Sequence, residues 1–111
     1  MNKYKNKPVV VDGHKFPSLH EAERYCELKL LTRGKVIKDL RLQVKYPLIP
    51  TQRDVDGKLL EHGVSYIADF VYKDLRTGQE IVEDAKGVRT MEYIIKRKLM
   101  LHVHGIRIRE V

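Results

Sequence analysis

The sequence predicts a mixed α/β fold: a central mixed four-stranded sheet flanked by helices, in the order α-β-β-β-α-β after an N-terminal hairpin. Three observations predict it. Two segments open with helix-capping residues and close at a glycine. Two segments between them carry the two-residue alternation of strands. Turn dipeptides separate these segments, as in Asp12-Gly13, Asp56-Gly57 and Thr77-Gly78.

Residues 8–11 and 14–16 flank Asp12-Gly13, so a small hairpin is expected there. Ser18 reads as an N-cap, and Glu21 three residues later completes a capping-box pattern. This helix should run to about Arg33 and stop at Gly34. In residues 40–48, Leu40, Leu42, Val44, Tyr46 and Leu48 alternate with polar residues, which predicts a half-buried strand. Pro47 and Pro50 put its end at a sheet edge or bulge. In residues 64–72, Val64, Tyr66, Ala68, Phe70 and Tyr72 alternate with Ser65, Ile67, Asp69 and Val71. Both faces are largely apolar, as in a central strand. Residues 80–86 form the third strand. Thr90 caps a second helix that ends at Gly105, and residues 106–111 form a last short strand. A mixed sheet with helices packed on it accommodates this order.

The chain has 111 residues, and we expect a single domain over 1–111 with a basic arm over 1–7. Lys and Arg number 22 against 15 Asp and Glu, a net charge of +7, and this surplus favours a polyanionic partner such as nucleic acid. No apolar run approaches the length of a membrane span. The basic N-terminus is not followed by the apolar stretch of a secretory signal. A lone Cys26 excludes an internal disulfide and fits a reducing cytosol. The charge is uneven. Lys3, Lys5 and Lys7 form the arm, and further cations cluster in residues 31–50 and 91–111. Residues 61–70 carry Glu61 and Asp69 with no Lys or Arg.

Some charges fall where periodicity expects apolar residues. On the first helix, at about 100° per residue, the apolar arc runs through Leu28, Tyr25, Ala22, Cys26, Leu19 and Leu30, and Glu21 lies inside it. The capping box explains this acid as well as a functional role does. Cys26 reads as a core residue. Asp69 sits mid-strand between Ile67 and Val71, and a carboxylate there is costly unless paired, hydrogen-bonded or bound to metal. A hydrogen-bonded Asp at a bulge is the bland alternative. Asp84 and Lys86 share a strand face with Val82, while Ile81, Glu83 and Ala85 face the other way. By itself Asp-x-Lys more often marks a surface ion pair, and Glu83 is a competing acid out of phase with Lys86. Lys96 interrupts the stripe of Tyr93, Leu99, Met100 and Val103, either as a snorkelling side chain or as a cation aimed at the acidic centre.

Glu21, Asp69 and Asp84 converge if the first helix packs across the second and third strands. Clustered carboxylates raise one another's pKa unless a cation joins them. All-oxygen donors suit Mg²⁺ or Mn²⁺ rather than zinc. Lys86 beside them fits a scissile phosphate or the attacking water. This set suits metal-assisted phosphodiester hydrolysis. His102 and His104 point to different sides of a helix, an arrangement unsuited to zinc. Neither a Gly-rich phosphate loop nor a Gly-x-Ser-x-Gly elbow occurs.

The order of these motifs resembles the PD-(D/E)XK nuclease superfamily. More narrowly, residues 16–25 (FPSLHEAERY), 43–46 (QVKY), 66–72 (YIADFVY) and 83–87 (EDAKG) resemble a small phage- and prophage-encoded family. That family is described as a domain of unknown function or a Holliday-junction-resolvase-like endonuclease. The resemblance implies a restriction-endonuclease-like sheet. It implies that Asp69, Asp84 and Glu21 bind the metal and that Lys86 serves the nucleophile. Gln43 and Lys96 fall at auxiliary positions. Ala68 stands where the superfamily motif has proline, a position that is not a ligand. The expected function is a Mg²⁺- or Mn²⁺-dependent endodeoxyribonuclease acting in the host cytoplasm as a homodimer, on branched DNA such as a four-way junction. Lys3, Lys5, Lys7, Arg41, Lys45, Arg89, Arg97 and Lys98 are the expected DNA contacts. The alternative is a nucleic-acid-binding protein with a vestigial nuclease site.

Overall fold

The structure, a computed structural model, describes residues 7–111. Lys3 and Lys5 of the basic arm lie outside the described residues, and Lys7 is exposed. Among the described residues no helix is long and apolar enough to cross a membrane. Strands β1 (Val9–Val11) and β2 (His14–Phe16) form the expected hairpin. Asp12 and Gly13 both have positive φ, 52° and 79°. Two successive left-handed residues match the twist of a two-residue hairpin, which is why Asp-Gly marks it.

Helix α1 (Leu19–Arg33) comes next. Its N-cap Ser18 accepts a hydrogen bond from the Glu21 amide. After it come β3 (Ile37–Ile49), a short hairpin of β4 (Gln52–Arg53) and β5 (Leu59–Glu61), β6 (Val64–Asp74) and β7 (Glu80–Asp84). The Asp56-Gly57 turn is the tip of the β4–β5 hairpin, whose strands are too short to give a periodic signal. Helix α2 (Met91–His104) begins at the Thr90 cap and ends at Gly105 in the left-handed conformation. Strand β8 covers only Arg109–Glu110, so the last strand is shorter than residues 106–111. Strand β7 stops at Asp84, although hydrogen bonds between residues 84, 86 and 111 extend the pairing past its end.

The four-stranded sheet has the order β3-β6-β7-β8. The first two pairings are antiparallel and β7–β8 is parallel. A parallel pair needs a crossover connection, and α2 supplies it. Strand β6 is internal, and β3 is an edge strand with a register shift between Pro47 and Ile49. Both positions match the sequence pattern.

The sheet has an apolar cluster on each side. One joins Phe16, Ala22, Tyr25 and Leu28 around α1 to Ile37, Phe70 and Tyr72. The other joins Tyr93 and Met100 of α2 to Leu48, Tyr66, Ala68, Val71 and Val82. Alternation alone predicts that Leu40, Leu42, Val44, Tyr46 and Leu48 share one face of β3 and that Val64, Tyr66, Ala68, Phe70 and Tyr72 share one face of β6, and neither holds. Leu40 and Leu42 pack with the α1 cluster, whereas Val44, Tyr46 and Leu48 pack with the α2 cluster. On β6, Tyr66 and Ala68 serve α2, whereas Phe70 and Tyr72 serve α1. The change of side falls at Gln43, with φ of 53°, and at Asp69 on the neighbouring strand. A left-handed residue inside a strand rotates the later residues relative to the pleat, as a bulge does. Both helices can therefore bury apolar residues on the same two strands.

The arc expected on α1 is also displaced. Glu21, Ala22, Tyr25 and Leu28 are buried, but Leu19, Cys26 and Leu30 are exposed. The buried stripe occupies positions 21, 25 and 28, at i, i+4 and i+7, and Cys26 sits on its outer flank.

Candidate active site

Asp69 occupies the point where β6 changes faces. There its Oδ2 accepts a hydrogen bond from the Ala85 amide at 2.8 Å. The carboxylate takes over an amide just past the end of the β6–β7 ladder, which closes at Phe70 and Glu83. Asp69 is hydrogen-bonded, as the bland alternative expects, but the β3–β6 register runs unbroken past it, so it sits at no bulge, and the bond fixes the carboxylate beside β7. Its other oxygen, Oδ1, receives only a long contact from the Gln43 amide, 3.4 Å. The same amide nitrogen lies 3.5 Å from Oε2 of Glu21. The strained backbone at Gln43 thus places one side chain between the acid of α1 and the acid of β6.

Asp84 ends β7 and is only 3% exposed. Its Oδ2 accepts from the Tyr66 hydroxyl at 2.5 Å. Its Oδ1 is buried and has no hydrogen-bond partner among the described residues. Lys86 Nζ lies 3.4 Å from that oxygen and 4.6 Å from the centroid of the Tyr93 ring. Asp84, Lys86 and Val82 thus share the α2 side, as their spacing predicts. Glu83 faces α1 and is fully buried. Arg24 donates to it through Nε at 2.9 Å and Nη2 at 2.6 Å, and the Tyr72 hydroxyl donates to it as well.

Asp69, Asp84 and Lys86 line one cleft of about 340 Å³, together with Ser65, Ile67, Thr90 and Lys96. Lys96 is partly buried and pairs with Glu92 at 3.1 Å, so its head stays at the cleft. The acids act on one another. Glu21 is pushed up to about 7, first by burial and then by the charges of Asp69 and Asp84, with Lys86 and His20 opposing. Asp69 is also raised, chiefly by burial and further by Asp84, against the lowering effect of the Ala85 amide. Burial together with the hydrogen bond to Asp84 raises Tyr66.

Among the described residues no three His, Cys, Asp or Glu side chains form a cage that would hold a metal ion by themselves. The expected triad is therefore open: Asp69 and Asp84 line the cleft, and Glu21 stands across the Gln43 amide. Magnesium ordinarily takes one or two carboxylates and completes its shell with water and substrate phosphate. An open pair of carboxylates, one with a buried oxygen that has a lysine ammonium 3.4 Å away but no hydrogen bond among the described residues, fits such an ion.

The expected DNA contacts divide into groups. Arg89 and Arg97 lie by α2 and both pair with Glu110. Lys98 is exposed on the same helix. Arg41 and Lys45 are on the edge strand β3, where Arg41 pairs with Glu80 at 3.0 Å. None of these lines the acidic cleft. Tyr66, Tyr93 and Glu110 have no counterpart among the sequence-derived site residues. The two tyrosines read as stripe members, and only their need for a hydroxyl partner once buried could have marked them.

The family model described as Protein of unknown function (DUF1064) matches residues 1–109, and the chain belongs to that family. No curated protein and no solved structure matches the chain.

Proposed function

We propose that this protein is a metal-dependent endonuclease that hydrolyses phosphodiester bonds of DNA, with a site of the PD-(D/E)XK kind. One observation carries the reading. Two neighbouring carboxylates and a lysine meet in one cleft, and one buried carboxylate oxygen there has no hydrogen-bond partner among the described residues. A buried acceptor without a hydrogen bond costs about 1–3 kcal/mol; the Lys86 ammonium at 3.4 Å offsets part of that cost, and a bound cation would offset more.

Asp69 and Asp84 would hold Mg²⁺ or Mn²⁺, with Glu21 completing the acidic side. When bound, such an ion lowers the pKa of water and offsets the charge that builds on phosphate. Lys86 Nζ, near Asp84 and above Tyr93, donates to the phosphate as its charge develops and orients the attacking water. Tyr66 and the Ala85 amide each fix one acid, so these groups need not reorganise during the reaction. Lys96 adds a second cation at the rim. The branched-DNA substrate and the homodimer are further parts of the proposal, since a dimer would let one small domain cut two strands.

Purified protein is incubated with linear, flapped and four-way-junction DNA in Mg²⁺, Mn²⁺ or EDTA. Metal-dependent cutting is expected, with a loss on the order of 10²–10³-fold in Lys86→Ala and at least as much in Asp84→Asn. DNA binding with no cutting on any substrate would leave the vestigial-site reading standing. Cutting retained in Lys86→Ala would remove that lysine from the chemistry.

A further inference from the structure

Tyr93 connects the acidic cleft to a second one. Lys86 Nζ is 4.6 Å from its ring centroid and the Arg97 guanidinium is 5.8 Å from it, so one ring neighbours two cations. Arg97 lines a separate cleft of about 330 Å³ with Lys98, Arg107 and Glu110. Glu110 joins these parts. Its Oε1 accepts from Arg89, through Nε at 2.7 Å and Nη2 at 2.6 Å. Its Oε2 accepts from Arg97 Nη1 at 2.9 Å and from the Tyr93 hydroxyl at 2.8 Å.

An ion-pair network serving stability alone has little need of surplus charge. Here Arg89 and Arg97 pair with a single carboxylate, Lys98 and Arg107 line the cleft beside it, and Arg107 pairs with no acid among the described residues. The Arg89 side chain is 60% exposed and that of Arg97 36%. A guanidinium carries five N–H donors, so each arginine keeps free donors after binding Glu110. The two arginines and Tyr93 hold Glu110 down at about 2, so it remains a fixed anion between them at any working pH. A fixed anion restrains long side chains that would otherwise sample many rotamers. Guanidinium forks restrained in this way bind phosphate oxygens with little further ordering cost.

We propose that the cleft between α2 and β8 is a track for the DNA sugar–phosphate backbone, in which Glu110 and Tyr93 set Arg97 and Arg89 in line with Lys86, and Lys98 and Arg107 extend the line. The proposal rests on the nuclease reading for what happens at the Lys86 end. Glu110 and Tyr93 are positioning residues, and the arginines make the contacts.

The test is binding of a labelled DNA duplex in EDTA over a series of salt concentrations. Each lost phosphate contact should reduce the slope of log K against log salt by about 0.9. Arg97→Gln and Arg107→Gln are each expected to flatten the slope by that amount and to weaken binding severalfold at low salt. Arg107 makes no ion pair among the described residues, so its variant should fold normally, and thermal melts check both. Arg33→Gln, which removes an exposed charge at the far end of α1, is expected to leave the slope unchanged. The track is overturned if neither Arg97→Gln nor Arg107→Gln moves the slope, or if Arg33→Gln moves it equally. The two proposals fail separately. A flattened slope with no metal-dependent cutting keeps the track and removes the nuclease. Cutting that needs Lys86, with slopes unmoved, does the reverse.

Discussion

Glu83 and Asp84 are adjacent on one strand, both acidic and both buried, yet their surroundings are opposite. Glu83 faces α1, where Arg24 grips it with two nitrogens and Tyr72 adds a hydroxyl. Asp84 faces α2, where one oxygen is held by Tyr66 and the other has the Lys86 ammonium at 3.4 Å but no hydrogen bond among the described residues. Burial of an acid is therefore not itself the mark of a site. Saturation separates the two. A carboxylate whose acceptors are all used stabilises the fold, whereas one with an acceptor in reserve can take a ligand. The Arg24 pair also fixes α1 against β7, and Glu21 lies three residues, nearly one turn, before Arg24. The saturated face thus helps to place an acid of the unsaturated one.

The largest expected effect breaks the saturated side. Glu83→Ala leaves the partly buried Arg24 guanidinium with only the exposed Glu27 at 3.6 Å as a partner, and it should cost about 3 kcal/mol in urea unfolding. Asp84→Asn keeps an acceptor for Tyr66 and removes a negative charge near Asp69 and Glu21, so its stability should stay within about 1 kcal/mol of wild type. Equal losses in the two variants would erase the distinction.

A smaller effect sharpens it through pH. Glu21 titrates near 4.5 when unfolded and at about 7 when folded. Below the lower value it is protonated in both states and contributes nothing. As pH rises from 4.5 to 7 the unfolded chain loses the proton first, so stability falls, and above 7 the penalty is complete. Glu21→Gln should therefore stabilise the metal-free protein on the order of 2 kcal/mol at about pH 8 and hardly at all at about pH 4. Denaturation in EDTA at the two pH values checks this, and a gain that does not change with pH would reject it.

The smallest effect belongs to Tyr66. Tyr66→Phe keeps the packed ring and removes one hydrogen bond to a charged group, which should cost about 1.5 kcal/mol of stability. It leaves both Asp84 oxygens without a hydrogen bond, so Mn²⁺ affinity should fall severalfold without vanishing. Unchanged stability and affinity would show that Tyr66 does not fix Asp84.

Local chemistry makes much of this legible in the sequence. Ser18, Thr90, Asp12-Gly13 and Gly105 mark their caps and turns through interactions a few residues long. The two-residue spacing of Asp84 and Lys86 places them together whatever the rest of the sheet does. The features that escape a sequence reading depend on distant partners. Nothing near Glu83 announces Arg24, which is 59 residues away in sequence. Nothing near Gln43 announces a left-handed residue inside a strand, because only the fitting of two helices onto the same strands requires it. Cys26 belongs to the outer flank of its helix rather than to the core, and a period-3.6 count cannot tell an edge from the interior. Glu110 reads as a minor acid in a basic stretch, and its role depends on arginines 13 and 21 residues earlier.

The central claim is that the oxygen held in reserve on Asp84 is there for a divalent cation. Mn²⁺ binding, read by electron paramagnetic resonance or water relaxation on purified protein without DNA, tests it directly. Wild-type protein and the Glu83→Gln variant should bind the ion, and Asp84→Asn should lose it. Binding that survives in Asp84→Asn, or is absent from folded wild-type protein, would contradict the account.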